Sequence, residues 1–330
     1  MVAGNSEPGT RDAIFLGITA GVTILYQLSF FVVAYGFRFD KVTDFAGATN
    51  FVVLAILTFL LRGSYYFRQV ILTTFVIVWG FRLGGFLLLR ILNWGEDKRF
   101  DDKRNDFWKF ALFWVFQAVW VWTVSLPVTI VNASGRNPDF EVRDVVGWVM
   151  FGLGLVIEAI ADQNKLNFKN NPQNKGKWCD GGLWSWSRHP NYFGEILLWW
   201  GIFVAATPVL DKGRWAVVVG PILLTFLLLF VSGIPLLESS ADKRYMSNPE
   251  YRQYKKVTSV LIPLPPAVYG KLPLLFKQIL LFELPFYTNS KASEEQLQAM
   301  HYHSFRIEGE ALARVCWSDV LGLFSGRVDG

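Results

Sequence analysis

The chain has 330 residues, 52% of them hydrophobic and 16% aromatic, a formal net charge of +5 and a mean hydropathy of +0.30. Its apolar residues come in long uncharged blocks, which excludes an ordinary soluble domain: about 17–25 such residues are needed to cross a bilayer core of roughly 30 Å. Two distant cysteines (Cys179, Cys316) exclude a disulfide framework or a cysteine-based metal site, and three histidines (His189, His301, His303) exclude a histidine-rich one.

In chain order the candidate spans are 13–35, 45–61, 69–92, 108–131, 144–161, 192–208 and 215–236. The first is too long for a signal-peptide core and lacks a small-residue cleavage site, so it is expected to be retained. Every backbone polar group inside a bilayer needs an internal partner, and these segments lack barrel periodicity. An all-α polytopic bundle of about seven transmembrane helices follows, with short linkers that pair neighbours antiparallel. Segments 36–43, 93–109, 162–190 and 238–256 hold 17 basic residues against seven in 1–12, 62–68, 132–143 and 209–214. The richer side is expected to be cytosolic, with the N-terminus outside and the C-terminus inside.

Beyond the spans, Glu238, Asp242, Arg244, Tyr245, Tyr251 and Tyr254 lead to Leu261-Ile262-Pro263 in a segment expected to fold back under the bundle. Residues 266–288 are apolar but broken by Pro273, Pro285, Lys271, Lys277 and Glu283, and are expected to lie in the membrane interface. Residues 289–330 form a mixed polar tail with helical content over 293–315. The organisation expected is thus a membrane domain, 1–265, followed by an interfacial and tail region, 266–330.

The chemistry concentrates in residues 178–200, WCDGGLWSWSRHPNYFGEILLWW. Pro190 suits a first helical position, where its missing donor costs nothing. Asn191 and Glu195, four apart, share a helix face, and a carboxylate inside an otherwise lipid-compatible helix needs a partner or a cavity. Arg188 and His189 beside a helix N-terminus suit an anion; contact with lipid headgroups is the alternative use of them. Tyr192 and Trp184, Trp186, Trp199 and Trp200 also fit an interfacial aromatic belt.

Upstream, Glu158, Asp162, Lys165 and Lys169 recur at intervals of 4, 3 and 4 and form one helical stripe. It reads either as the lining of a cofactor groove or as a salt-bridged helix end with snorkelling lysines. Arg82 lies inside the third span, at a depth where an unpaired charge costs roughly 2.5–3.5 kcal/mol, so a carboxylate such as Glu195 is expected to pair with it. Gly80, Gly84 and Gly85 allow close helix contact there. The charged loop Trp94 to Phe100 reads as a solvated turn or as a flap over a phosphate-bearing ligand. No G-x-S-x-G, H-E-x-x-H, P-loop or G-x-G-x-x-G element occurs, and nothing supports a nucleic-acid partner.

The run GGLWSWSRHPNYFGEILLWWG resembles the C-terminal domain of the steroid 5-alpha-reductase-like family, in the branch labelled only as a domain of unknown function. The similarity takes in Ala161-Asp162-Gln163, Phe81 to Gly85, Gly95-Glu96-Asp97, Glu238, Arg244-Tyr245, Tyr251, Tyr254 and Leu261-Ile262-Pro263, over roughly residues 40–265. The resemblance implies a seven-helix membrane enzyme that binds NADPH at its cytosolic side and reduces a double bond conjugated to a carbonyl in a lipid or sterol-like substrate. The endoplasmic reticulum is the location it suggests. Asp162, Asn191 and Glu195 match cofactor-contacting positions, with Tyr192 beside them. Arg244-Tyr245 falls near the C-terminal contacts, and Lys169 stands where the steroid enzymes carry an arginine. Lys165, Arg188, His189 and Glu238 complete the candidate cofactor set, and Tyr192 and Arg82 are the candidate catalytic residues.

Two departures accompany this match. Span 45–61 holds no acid where the steroid enzymes place a glutamate, and Trp79 stands at their third-helix tyrosine. Isoprenylcysteine carboxyl methyltransferases look similar in the Arg-His-Pro-x-Tyr-x-Gly element, so the alternatives are an S-adenosylmethionine-dependent membrane methyltransferase or a non-catalytic lipid-binding relative.

Overall fold

The computed structural model describes residues 8–94 and 106–288. Thirteen α-helices occur among them: α1 (Pro8–Gly36), α2 (Thr43–Arg62), α3 (Phe67–Trp94), α4 (Phe107–Val124), α5 (Leu126–Ala133), α6 (Val142–Asn170), α7 (Pro190–Ala206), α8 (Val219–Phe226), α9 (Ile234–Tyr245), α10 (Pro249–Val257), α11 (Pro266–Tyr269), α12 (Leu274–Leu280) and α13 (Pro285–Thr288). Among the described residues, seven segments are long and apolar enough to cross a membrane. The expected all-α polytopic bundle is what the chain forms. The expected tail helix over 293–315 and the charged loop from Gly95 lie outside the described residues.

Three spans differ from their sequence pattern. The fourth splits at Ser125: Pro127 has no N–H for the carbonyl of Thr123, and Ser125 ends α4 with both its N–H (3.1 Å) and its Oγ (2.7 Å) donating to Val121 O. The fifth runs to Asn170 rather than 161, because Glu158, Asp162 and Lys165 find partners inside the fold. The seventh passes through a π-helical turn, Leu227–Val231, and breaks before Ile234, where the Leu228 backbone leaves no room for a side chain on Gly233.

The tightest pairing is α6 against α7. A Cβ on Gly154 would lie 2.5 Å from Gly194 O, and one on Gly194 would lie 2.6 Å from Gly154 O. Gly147 and Gly201 repeat this contact two turns away. Without side chains at these four positions the backbones touch, the small-residue packing that membrane helices use in place of a hydrophobic drive. Gly80 and Gly84 bring α3 against α2 as their spacing suggests, whereas Gly85 meets nothing within 4 Å. The main core lies between these pairs, around Phe51, Trp79, Leu198, Trp199 and Ile202. At the end opposite residues 162–190, Arg68 locks α3 to α6 through a buried bidentate pair with Asp144, 2.7 Å on each oxygen.

Residues 246–288 fold back over the other end. Ser187 Oγ donates to Leu261 O at 2.8 Å, Arg188 N donates to Ser259 O at 2.7 Å, and Tyr254 Oη donates to Trp184 O at 2.7 Å. The 178–190 loop is thereby stitched to 254–264. Its turn depends on Gly182, whose φ of +59° suits glycine and whose missing Cβ clears Asn164 Nδ2.

Candidate functional site

Two buried charged clusters flank the start of α7. The inner one is centred on Arg82 of α3. Its guanidinium Nη1 donates to Asp162 Oδ2 at 2.8 Å and Nη2 contacts Glu158 Oε1, both on α6. A carboxylate partner was expected, and two are present; Glu195, the one named from the sequence, is not in direct contact but lies within electrostatic reach of Arg82 and Asp162. The carboxylates one turn apart on α6 grip the arginine from its own side, and the Gly154–Gly194 contact delivers Glu195 beside them. One cation among three carboxylates is costly inside an apolar span, which makes this cluster the candidate site. Glu158 Oε2 and the Asn191 side-chain oxygen are buried and have no hydrogen-bond partner.

Cations gather at the mouth of this cluster. Lys165 and Lys169 of α6, Arg90 of α3 and Arg244 of α9 are close enough to act on one another's charge. Lys165 Nζ sits 4.1 Å above the Trp184 ring, whose indole donates to Ala161 O at 2.9 Å. Arg90 also reaches Asp44 at 3.5 Å, and the Arg244 guanidinium lies 5.9 Å from the Tyr245 ring centre. Tyr245 itself is spent on structure, donating to Lys177 O at 3.1 Å.

The outer cluster is built on Arg188. Its guanidinium donates to Glu238 Oε1 (3.1 Å), Glu283 Oε1 (3.0 Å) and the carbonyls of Lys255 (3.0 Å) and Thr258 (2.9 Å). Lys255 bridges Glu238 (3.0 Å) and Asp242 (2.7 Å), and Tyr269 Oη donates to Glu283 Oε2 at 2.5 Å. Burial opposes charge on Arg188, but Glu238 and Glu283 outweigh it and hold the guanidinium well above its ordinary value. His189 Nε2 donates to Glu238 Oε1 at 2.8 Å, which leaves Nδ1 as a buried acceptor without a partner. Burial pushes this imidazole below its usual pKa despite the carboxylate, so it is neutral at physiological pH.

The structure therefore separates the sequence candidates. Arg82, Asp162, Glu195 and, at the mouth, Lys165, Lys169 and Arg244 share one region. Arg188, His189 and Glu238 form a second, in which Arg188 is fully engaged by protein partners, and the lipid-headgroup use of Arg188 and His189 does not occur because both are buried. Tyr192 is turned about 100° around α7 from Asn191. It stacks on His189, ring centres 5.8 Å apart, and packs toward Leu229, Ile234 and Leu261 rather than toward Arg82. The aromatic-belt reading fails for Trp184 and Trp199, which are buried. Trp199 and Trp79 meet edge to face at 5.0 Å, both with unpartnered indole N–H groups. Sequence reasoning left out Lys255 and Glu283, whose charges alone did not distinguish them from surface residues, and the seven-residue glycine spacings of α6 and α7, which were open to inspection.

Fold and site together define a polytopic α-helical membrane protein with a charged centre at one end of its bundle. The chain belongs to the family described as "Protein of unknown function (DUF1295)", which matches residues 30–258. A stretch of 46 residues, 14% of this chain, is 50% identical to "Probable O-methyltransferase ustE" of Ustilaginoidea virens and covers 16% of that protein. No solved structure matches the chain.

Proposed function

We propose that this protein is an NADPH-dependent reductase of a carbon–carbon double bond in a membrane lipid or sterol-like enone. The steroid 5-alpha-reductase-like resemblance of the motif suggests the class. The observation that carries the reading is the group of Lys165, Lys169, Arg90 and Arg244 over the mouth of the Arg82 cluster. Such a group suits the several phosphates of NADPH, which S-adenosylmethionine lacks. The buried acceptors fit the remainder: Asn191 and Glu158 each offer an unpartnered oxygen to a carboxamide or ribose donor.

In this scheme the bound cofactor supplies the hydride. Lys165, Lys169 and Arg244 hold its phosphates, and Asp162, Glu195, Asn191 and Glu158 accept from its polar groups. Arg82 is a positioning residue that fixes the two α6 carboxylates. Arg188, His189 and Glu238 hold the 187–190 turn, and hence the first turn of α7, in register. One turn deeper, the N–H groups of Trp79 and Trp199 donate to the substrate's carbonyl oxygen, a role open to indole, which donates a hydrogen bond but keeps its proton. Tyr192, which packs toward Leu229, Ile234 and Leu261, has no step in this scheme, and the proton that completes the reduction enters from the aqueous mouth of the site. The surrounding apolar helices exclude water. The motif end faces the cytosol, with the N-terminus outside, in the endoplasmic reticulum.

A second reading, an S-adenosylmethionine-dependent methyltransferase, draws on the 46-residue likeness to the fungal protein. Thermal unfolding of detergent-purified protein with each cofactor separates the two. A ligand at 100 times its Kd stabilises by about 2.7 kcal/mol. A shift with NADPH alone is expected; a shift with S-adenosylmethionine alone would overturn the reductase reading.

A further inference from the structure

Residues 266–288 lie beyond the family match, and both their ends are fixed. Tyr269 is tied through Glu283 to Arg188, one residue before His189 and the start of α7. At the other end the Tyr287 hydroxyl donates to Leu229 O, inside the seventh span, and Phe286 lies 6.3 Å from Phe230. The turn that delivers Glu283 is built at Phe282, whose φ is +59°. Between these anchors, which tie the segment to the residue before His189 and to the seventh span, runs α12, Leu274–Leu280.

Its apolar side chains point outward. Leu275 and Ile279 are 67% and 66% exposed, and Leu274, Phe276 and Leu280 are exposed beside them. Among the described residues no side chain covers this face. The charges around it are cationic. Lys256 and Lys271 are exposed, and Lys277 rests 4.3 Å over the Tyr269 ring while donating to Lys256 O at 3.3 Å. Glu283, the acid nearest in sequence, is buried and neutralised by Arg188. An apolar face rimmed by lysines and tied to the start of α7 and to the seventh span matches the chemistry of an anionic leaflet: acyl chains for the leucines, headgroups for the ammonium groups.

We propose that α12 is a monolayer anchor that inserts its Leu274–Leu280 face into the leaflet at the motif end and selects anionic lipid through Lys256 and Lys271. The anchor stands whichever cofactor the bundle binds. Because Glu283 follows α12 by three residues, the leaflet is thereby coupled to the Arg188 cluster.

The test uses full-length protein in nanodiscs, carrying Cys179→Ser and Cys316→Ser, with an environment-sensitive dye on Leu275→Cys or, in a second variant, Ile279→Cys. Gln253→Cys on the exposed side of α10 serves as the aqueous control. The expected result is strong quenching at 275 and 279 by lipid spin-labelled just below the headgroup, and quenching at 253 by aqueous iodide only. Adding phosphatidylserine to phosphatidylcholine discs should increase the lipid quenching, and Lys256→Gln/Lys271→Gln should remove that increase. Equal iodide quenching at all three sites would overturn the proposal. So would shielding of 275 from both quenchers, which would mean that protein covers the face, or efficient 275–275 disulfide formation, which would assign it to a second copy. Indifference to phosphatidylserine would overturn the lipid selectivity.

Discussion

Arg188 of the central motif and Glu283, 95 residues later, form a buried ion pair at 3.0 Å. The acid lies outside the segment that defines the family, yet it completes the guanidinium's set of partners. Residues 266–288 are therefore part of the folded core in this chain, whatever else they do.

Truncation after Pro265 should consequently destabilise the protein. Removing one partner of a buried pair leaves an uncompensated charge and costs about 3–5 kcal/mol. Glu283→Ala should lose a large part of that amount, and thermal unfolding in detergent measures it. An unchanged midpoint for both proteins would show that Glu238 alone satisfies Arg188.

Gly154→Ala and Gly194→Ala should each destabilise by about 1–3 kcal/mol or more, because the new methyl meets backbone that cannot give way. Gly85→Ala, with nothing within 4 Å, should be neutral or slightly stabilising. Equal unfolding midpoints for all three variants would refute the α6–α7 contact.

Arg82→Ala should strand Glu158 and Asp162 without their cation and lower stability by about 3–5 kcal/mol. The triple variant Arg82→Met, Glu158→Gln, Asp162→Asn should recover most of that loss. Glu195→Gln, which breaks no direct ion pair seen in the structure, should keep the fold and weaken the NADPH-induced shift. A normal shift in that variant removes Glu195 from the cofactor site.

His189 gives the protein an acid-side pH dependence. Burial holds its folded pKa below the ordinary value of 6.5, so below about pH 6.5 the unfolded chain binds a proton that the folded site refuses. Its contribution is present above that value and is lost as pH falls toward the folded pKa. The unfolding midpoint should drop between pH 7.5 and 5.5, and His189→Gln should flatten part of that slope.

Long apolar runs without barrel periodicity determined the seven spans and the all-α class, because inside a bilayer the backbone satisfies itself only in helices or closed barrels. The start of α7 at Pro190 and the shared face of Asn191 and Glu195 were equally legible, since both follow from helix geometry. What the sequence left open was which charges meet. Arg82 and Asp162 are 80 residues apart, and Arg188 and Glu283 are 95 apart. Those distances are closed only by packing: α3 lies beside α6, pinned at its other end by the Arg68–Asp144 pair, and the backbone turn at Phe282 returns the chain to Arg188. Spacing along a chain fixes faces of a helix; the choice of partner across helices rests on close approach, which only the tertiary structure supplies.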